Sequence, residues 1–261
     1  MREPFNILVL DTETHFMNIY NKMVFDIAWC EGDVRNSDSK IEEKRFLIKE
    51  FMSPKHWRHS YTDKATGLRK DWKADSRGDE TINLALSPPK GVKVVSWNEM
   101  LEELEFSISR ARAVGSYNWA FDRGAIENTS LKLNHKPFLQ GIKFKPFCIQ
   151  DMFVNKIINK DYFSYIDNDI PDYEKDLYKS KSGKNLGYSA EIMARYISRN
   201  SNYVESHTAL DDSRVEFTLC RYFCDRHFTE FKKDFLGNPK SVSWTKVRDR
   251  LSSAKKMKAR D

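Results

Sequence analysis

The sequence predicts an α/β fold in which helices flank a mixed sheet. Two observations predict it: short apolar segments joined by turn-forming residues come first, and helical segments then alternate with further short strands. Consecutive strands pair readily in an antiparallel meander, whereas strands separated by helices suit parallel pairing. We therefore expect three antiparallel strands followed by parallel strands, all in one sheet.

The early strands have clear signals in the sequence. The first contains the apolar run ILVL (7–10) and ends in two acidic residues, and we expect residues 23–31 and 45–51 to form the next two strands. The link GDVRNSDSK has turn composition. Residues 52–96 show no clean periodicity, so we expect a long insertion there with little regular structure, and such insertions are often functional.

Helical spacing of apolar residues dominates the remainder of the chain. Residues 97–112 illustrate it, with Met100, Leu104 and Ile108 on one face. The same pattern predicts helices over 121–133, 186–199 and 207–227. AVGSYN and FKPFCIQD are expected as short strands between them, and the polar residues 161–185 as a loop.

Positive charge is concentrated at the C-terminus. Residues 240–261 carry eight Lys or Arg against two acidic residues, which accounts for the whole formal net charge of +6. Residues 53–77 carry seven basic and three acidic residues, together with Trp57, Tyr61 and Trp72. Basic charge among aromatic rings suits single-stranded nucleic acid, since cations contact phosphates and rings stack on bases. A solvated surface loop explains residues 53–77 equally well.

The cysteines and the hydropathy bear on the cellular location of the protein and on membrane association. Four scattered cysteines form no C-x-x-C pair, so we expect free thiols and a cytoplasmic location. No run of 18 apolar residues is present, which argues against a membrane span. Cys220, Cys224 and His227 have a spacing that could hold zinc, but we expect them to pack in the core because no fourth ligand is nearby in the sequence.

Paired carboxylates at the end of the first strand provide the first chemical signal. Asp11 and Glu13 are two residues apart, so on a strand their side chains project from the same face. Two neighbouring carboxylates repel each other and do not both ionise readily unless a cation lies between them. Hard divalent cations such as Mg²⁺ or Mn²⁺ take oxygen ligands, so the pattern predicts a metal site.

Two further segments carry polar residues where strands and helices meet. NWAFDRGAI places Asn118 and Asp122 at a strand–helix junction, and HTALDDSRVEFTL places His207 and Asp212 at the start of a helix. A separation of five residues puts two side chains about 140° apart on a regular helix. We therefore expect His207 just ahead of the helix or in its first turn, where an imidazole can exchange protons near neutral pH.

Together these segments resemble the DnaQ-like DEDDh 3′–5′ exonucleases, a family of the ribonuclease-H-like superfamily. The segments LDTET, NWAFD and HTALDD follow in the order and rough spacing of the family's three exonuclease motifs, over residues 5–225. The DEDDy branch would have Tyr where this chain has Thr208, so the His branch is favoured. The resemblance implies a ribonuclease-H-like fold, with an exonuclease domain over residues 1–230, an insertion around 53–96 and a basic extension over 231–261.

The resemblance also implies a role for each motif residue. Asp11, Glu13 and Asp212 would hold the metal ion that activates water, Asp122 with Asp11 would hold a second ion, and His207 would be the general base. Two Mg²⁺ or Mn²⁺ ions would stabilise the attacking and leaving oxygens of the phosphoryl transfer. Residues expected to bind the 3′-terminal nucleotide are Thr14, His15, Phe16 and Asn118, although Phe16 suits a core position equally well.

The function that follows is hydrolysis of nucleic acid from its 3′ end to nucleoside 5′-monophosphates. We expect single-stranded 3′ ends as substrate, with DNA preferred and RNA as the open alternative, since no feature recognises a 2′-hydroxyl. A polymerase or replication protein is a further partner that the resemblance allows, but the residues themselves do not identify one. A non-catalytic subunit that grips 3′ ends is the alternative from another class. The presence of all four acids and the His argues against it.

Overall fold

The structure is a computed structural model that describes residues 3–15, 23–51, 60–62, 69–71, 87–134, 136–179, 186–206, 208–237 and 239. Its strands are β1 (Asn6–His15), β2 (Met23–Asp33), β3 (Glu42–Ile48), β4 (Ser60–Thr62), β5 (Arg69–Asp71), β6 (Lys93–Val95), β7 (Ala113–Ser116) and β8 (Pro146–Cys148). Its α-helices are α1 (Trp97–Arg110), α2 (Trp119–Asn134), α3 (Ile149–Met152), α4 (Lys160–Asn168), α5 (Ala190–Ser198) and α6 (Ala209–Glu230).

Six strands form one mixed sheet in the order β6-β3-β2-β1-β7-β8. β1, β2 and β3 pair antiparallel, with Leu10 opposite Trp29 and Ala28 opposite Arg45. β7 pairs parallel to β1, and β8 pairs parallel to β7. The predicted sheet, with three antiparallel strands followed by parallel ones, is therefore confirmed.

The insertion contains more regular structure than expected. β6 pairs parallel to β3 and forms one edge of the main sheet, and β4 and β5 form a separate two-stranded antiparallel sheet. Strands of three residues are too short to show the alternation that identifies a strand in the sequence. The other residues of 52–86 lie outside the described part of the chain, so the prediction of little regular structure there is corrected only at these strands.

A second correction concerns residues 161–185, where the sequence predicts a loop and the structure has α4. Asn159 caps this helix, since its side-chain oxygen accepts hydrogen bonds from the backbone N–H groups of Asp161 and Tyr162. The buried face is mostly aromatic, comprising Tyr162, Phe163, Tyr165 and Ile166. Tyrosine counts as polar in a hydropathy pattern but buries a large ring, which is why the helix escapes detection.

β1 lies in the middle of the sheet and is buried on both faces. Ile7 and Val9 pack into one core cluster together with Phe217 of α6, whereas Leu8 and Leu10 pack into the other. That second cluster contains the buried faces of α1 and the start of α2. The unbroken apolar run in the sequence is thus a central strand covered on both sides by helices.

The C-terminal end of the described chain also packs on the core. Phe231 and Phe235 are buried, and the N–H of Gly237 donates to the carbonyl oxygen of Pro146 at 2.8 Å. The four cysteines are free and buried. Among the helices that the structure describes, none is both long and apolar enough to cross a membrane.

Candidate active site

The side-chain alternation of β1 determines where its two acidic residues project. Ile7 and Val9 face the core cluster that contains α6, so Asp11 and Glu13, at the next odd positions, project toward the same helix. Both side chains are partly buried. The β1–β2 register shifts between Glu13 and Thr14, so the regular ladder breaks immediately after the second carboxylate.

The first turn of α6 supplies the third acidic residue. Thr208 is the N-cap, and its hydroxyl accepts a hydrogen bond from the N–H of Asp211. The carboxylate of Asp211 in turn accepts from the hydroxyls of Ser206 and Thr208, at 2.8 and 3.0 Å. The following residue, Asp212, is buried in the first helical turn, where the helix dipole favours negative charge.

Asp26 on β2 anchors the same end of α6. It lies opposite Glu13 in the sheet and accepts a backbone hydrogen bond from Ala209. Arg45 on β3 binds both carboxylate oxygens of Asp26, with Nε–Oδ1 at 3.1 Å and Nη2–Oδ2 at 2.7 Å. Burial nevertheless raises the pKa of Asp26. The guanidinium of Arg45 is therefore already paired with Asp26.

Asp11, Glu13 and Asp212 converge on one point. Each offers one carboxylate oxygen, and the three oxygens lie within 4.8 Å of one another. Oxygen donors at this separation suit a hard divalent cation such as Mg²⁺ or Mn²⁺. The residues present therefore fit the metal that the sequence motifs imply.

The electrostatics of Asp11 also favour a bound cation. Burial raises the pKa of the Asp11 carboxyl well above its usual range. Neighbouring carboxylates raise it further, in the order Glu216, Asp122, Glu13 and Asp212. Ionised Asp11 is thus unfavourable in the protein alone, and a divalent cation among these carboxylates would offset the repulsion.

Asp122 approaches the end of β1 from the opposite face. It lies in the first turn of α2 and is buried, and its Oδ1 accepts hydrogen bonds from the backbone N–H and the hydroxyl of Thr12, at 3.2 and 2.7 Å. Its carboxylate is outside the group of three converging oxygens. It nevertheless lies close enough to raise the pKa of Asp11.

The residues expected to contact the substrate are described only in part. Thr14 is partly buried at the end of β1, and Asn118 is exposed, with its carbonyl accepting from the N–H groups of Phe121 and Asp122 at the start of α2. His15 ends β1, but the structure describes only its backbone. Phe16 and His207 lie outside the described residues. Their predicted roles stay predictions.

Glu216 is a buried carboxylate that the motif analysis does not identify. It lies on α6 one helical turn after Asp212 and is 4% exposed. Its Oε2 accepts a hydrogen bond from the N–H of Tyr117 at 2.8 Å. The spacing of four residues from Asp212, within an otherwise apolar buried face, is the sequence signal that could have found it.

The cysteine and histidine residues near the end of α6 pack as expected. Cys220 and Cys224 are buried in the core cluster of that helix, and burial raises the pKa of Cys220. The imidazole of His227 lies 5.2 Å from the ring of Phe223, centroid to centroid. These surroundings are those of a packed helix face.

Comparisons with known proteins identify the fold. The sequence matches no protein-family model and no curated protein. Exonuclease I from Methylocaldum szegediense superimposes with a TM-score of 0.52 at 13% identity, over 88% of this chain and 42% of that one. The zinc-bound E. coli exonuclease I–ssDNA complex superimposes with a TM-score of 0.52 at 12% identity, over 88% and 43%. The chain thus spans less than half the length of these exonucleases, and it shares their ribonuclease-H-like fold.

Proposed function

We propose that the chain is a metal-dependent 3′–5′ exonuclease that releases nucleoside 5′-monophosphates from single-stranded nucleic acid. One observation carries the proposal: Asp11, Glu13 and Asp212 present carboxylate oxygens within 4.8 Å of one another at the end of the central strand. The fold shared with exonuclease I supports it, since the carboxylates lie on a scaffold that is found in another exonuclease. The sequence motifs supply the third line of support.

The proposal assigns a role to each residue of the site. Asp11, Glu13 and Asp212 would hold one divalent cation, and Asp122 with Asp11 would help to hold a second. Bound Mg²⁺ or Mn²⁺ ions supply an activated water and stabilise charge on the oxygens of the phosphoryl group. In the proposal His207 takes the proton from the attacking water, because in the sequence it comes immediately before Thr208, the N-cap of the helix that carries Asp212.

Thr12 has a positioning role in this proposal. Its backbone N–H and hydroxyl both donate to Oδ1 of Asp122, so β1 holds that carboxylate in one orientation. Oδ2 of Asp122 accepts neither of these two bonds. The remainder of the proposed substrate site comprises Thr14, His15, Phe16 and Asn118, which would bind the 3′-terminal nucleotide.

Single-stranded DNA is the proposed substrate. The similar E. coli structure is a complex with ssDNA, which supports a single strand over a duplex. The basic residues of the insertion and of the C-terminal extension would contact phosphates without reading sequence. A polymerase partner remains an expectation from the motif resemblance alone.

The test is incubation of end-labelled single-stranded DNA and RNA of one sequence with Mg²⁺, Mn²⁺ or EDTA. We expect DNA hydrolysis with either metal, loss of hydrolysis in EDTA, and loss in Asp11→Asn. Asp225→Asn is the matched control, because Asp225 is an exposed acid on α6 away from the site. Equal hydrolysis by wild type and Asp11→Asn, or binding of 3′ ends without hydrolysis, would contradict the proposal.

A further inference from the structure

Glu216 is a buried acid that the proposed metal site does not use as a ligand. Glutamate is almost never fully buried unless it is paired. Here the carboxylate is 4% exposed, and the three converging oxygens belong to Asp11, Glu13 and Asp212. A buried carboxyl group one turn from Asp212 that is not one of the converging ligands is therefore a candidate for another role at the site.

The hydrogen bond that Glu216 accepts connects two parts of the site. Tyr117, which donates its N–H at 2.8 Å, immediately follows β7. The carbonyl of Tyr117 accepts from the N–H of Gln150 at 2.9 Å, so this peptide is also fixed to α3. The next residue, Asn118, accepts from the N–H of Asp122 at 3.3 Å and so begins α2.

Asp122 and Asp212 need such a connection because they reach the site from different faces of the sheet. Asp122 bonds to Thr12, and Asp212 lies on α6, which covers the face of Ile7 and Val9. Burial is the largest cause of the raised pKa of Glu216, and the charges of Asp122 and Asp212 raise it further.

We propose that Glu216 is a positioning residue, whose hydrogen bond from Tyr117 N–H holds α6 against the start of α2 and so fixes Asp212 relative to Asp122. This inference rests on the proposed function, since the relative placement matters only if these carboxylates hold cations. Partners that orient metal ligands without touching the metal typically contribute about 10- to 100-fold to metal affinity or activity.

The test compares wild type, Glu216→Ala, Glu216→Gln and Cys220→Ala. Glu216→Ala loses the acceptor, whereas Glu216→Gln keeps an amide oxygen that can accept from Tyr117 N–H but carries no charge. Cys220→Ala truncates a buried residue one turn further along α6 and controls for general loss of packing. Mn²⁺ binding is measured by electron paramagnetic resonance of the free ion without nucleic acid, and kcat and KM are measured on single-stranded DNA.

We expect Glu216→Ala to weaken Mn²⁺ binding and to lower kcat by about 10- to 100-fold, the range given by such partners elsewhere. Glu216→Gln should recover most of both losses, KM should change little, and Cys220→Ala should match wild type. Mn²⁺ binding by Glu216→Ala equal to that of wild type would overturn the inference, and so would an equal defect in Glu216→Gln. Failure of wild type itself to bind Mn²⁺ would overturn the proposed function together with this inference.

Discussion

At the end of β1, the surroundings of the Asp11 carboxyl group disfavour its ionised form. Asp11 is partly buried and surrounded by carboxylates, and both effects raise its pKa. The buried Asp26, in contrast, has the guanidinium of Arg45 as a partner. Functional sites commonly lower the stability of a protein in this way, because the groups that repel one another are the ones that bind the cofactor.

A pH-dependent stability difference follows for Asp11→Asn in the absence of metal. Because the pKa of Asp11 is raised in the folded state, the folded protein holds a proton that the unfolded chain releases near pH 4. The contribution of Asp11 to the stability of the wild type in EDTA should therefore become less favourable as pH rises above about 4. Asp11→Asn lacks this loss, so it should melt at a higher temperature than wild type at pH 7.5 and at a similar temperature at acid pH.

Thermal melts of both proteins in EDTA across this pH range check the prediction. Asp225→Asn serves as the control, since that exposed carboxylate is paired with Arg226 at the surface. If Asp11→Asn is less stable than wild type at every pH, the neighbouring carboxylates do not destabilise ionised Asp11, and the prediction is wrong.

His207 gives a kinetic prediction. If it accepts the proton of the attacking water, His207→Ala should lower the rate at pH 7 by about 10²- to 10⁴-fold, the usual contribution of a positioned base. Part of the rate should return as pH rises, because hydroxide replaces the missing acceptor. A pH–rate profile on single-stranded DNA decides the matter, and a mutant as fast as wild type at pH 7 would assign the base to another group.

The sequence motifs identify the proposed metal ligands better than the residues that are proposed to position them. The spacing of Asp11 and Glu13 on a strand is sufficient to place both on one face, and the structure brings Asp212 to them. The bonds of Thr12 to Asp122 and of Tyr117 to Glu216 span 110 and 99 residues. No local pattern encodes contacts of that length, since they depend on how the sheet is assembled.

At the scale of elements, close approach of neighbouring strands constrains β7 and β8. Gly115 lies opposite Phe147, and a Cβ atom at Gly115 would be 2.5 Å from that ring. Gly124 lies on α2, where a Cβ atom would meet nothing within 4 Å. The same substitution at the two glycines should therefore have opposite effects on stability.

We predict that Gly115→Ala destabilises the protein by about 1–3 kcal/mol, the usual cost of overpacking a core. Gly124→Ala should instead stabilise it by up to about 1 kcal/mol, because alanine favours the helical conformation. Urea denaturation of both variants gives the free energies of unfolding. Combining Gly115→Ala with Phe147→Leu should reduce the loss, and a Gly115→Ala protein as stable as wild type would show that the strands can separate at no cost.

Long elements were predictable from periodicity, and short or aromatic ones were not. β2 and α1 begin at the predicted residues, because their apolar positions repeat over enough residues to define a period. β6 has three residues at the edge of the sheet, and α4 covers the core with tyrosines. Both depend on what they pack against, so their own residues give little indication of them.

At the scale of the whole molecule, charge is unevenly distributed. The site gathers Asp11, Glu13, Asp122, Asp212 and Glu216, an acidic group that would repel the polyanionic substrate of the proposed function. The formal excess of positive charge lies in residues 240–261. If the chain binds nucleic acid as proposed, that binding would depend on bound cations at the site and on basic residues elsewhere.

Truncation of residues 246–261 tests the second of these contributions. On single strands, each neutralised phosphate contributes about −0.7 to the slope of log K against log salt. The truncated protein should bind more weakly at low salt and show a flatter slope, while kcat at saturating substrate should change little because no motif residue is lost. Affinity measured at several salt concentrations gives the slope. An unchanged slope would indicate that the extension contacts a protein surface.

The most direct test of the central claim is the fate of a 5′-labelled single-stranded DNA incubated with Mn²⁺ and either wild type or Asp212→Asn. The account predicts that wild type shortens the labelled strand one nucleotide at a time from its 3′ end and releases nucleoside 5′-monophosphates. Asp212→Asn should remain folded by circular dichroism and leave the strand intact. Labelled mononucleotide released first from the 5′ end, or wild-type shortening by Asp212→Asn, would contradict the assignment of Asp11, Glu13 and Asp212 as the catalytic metal site.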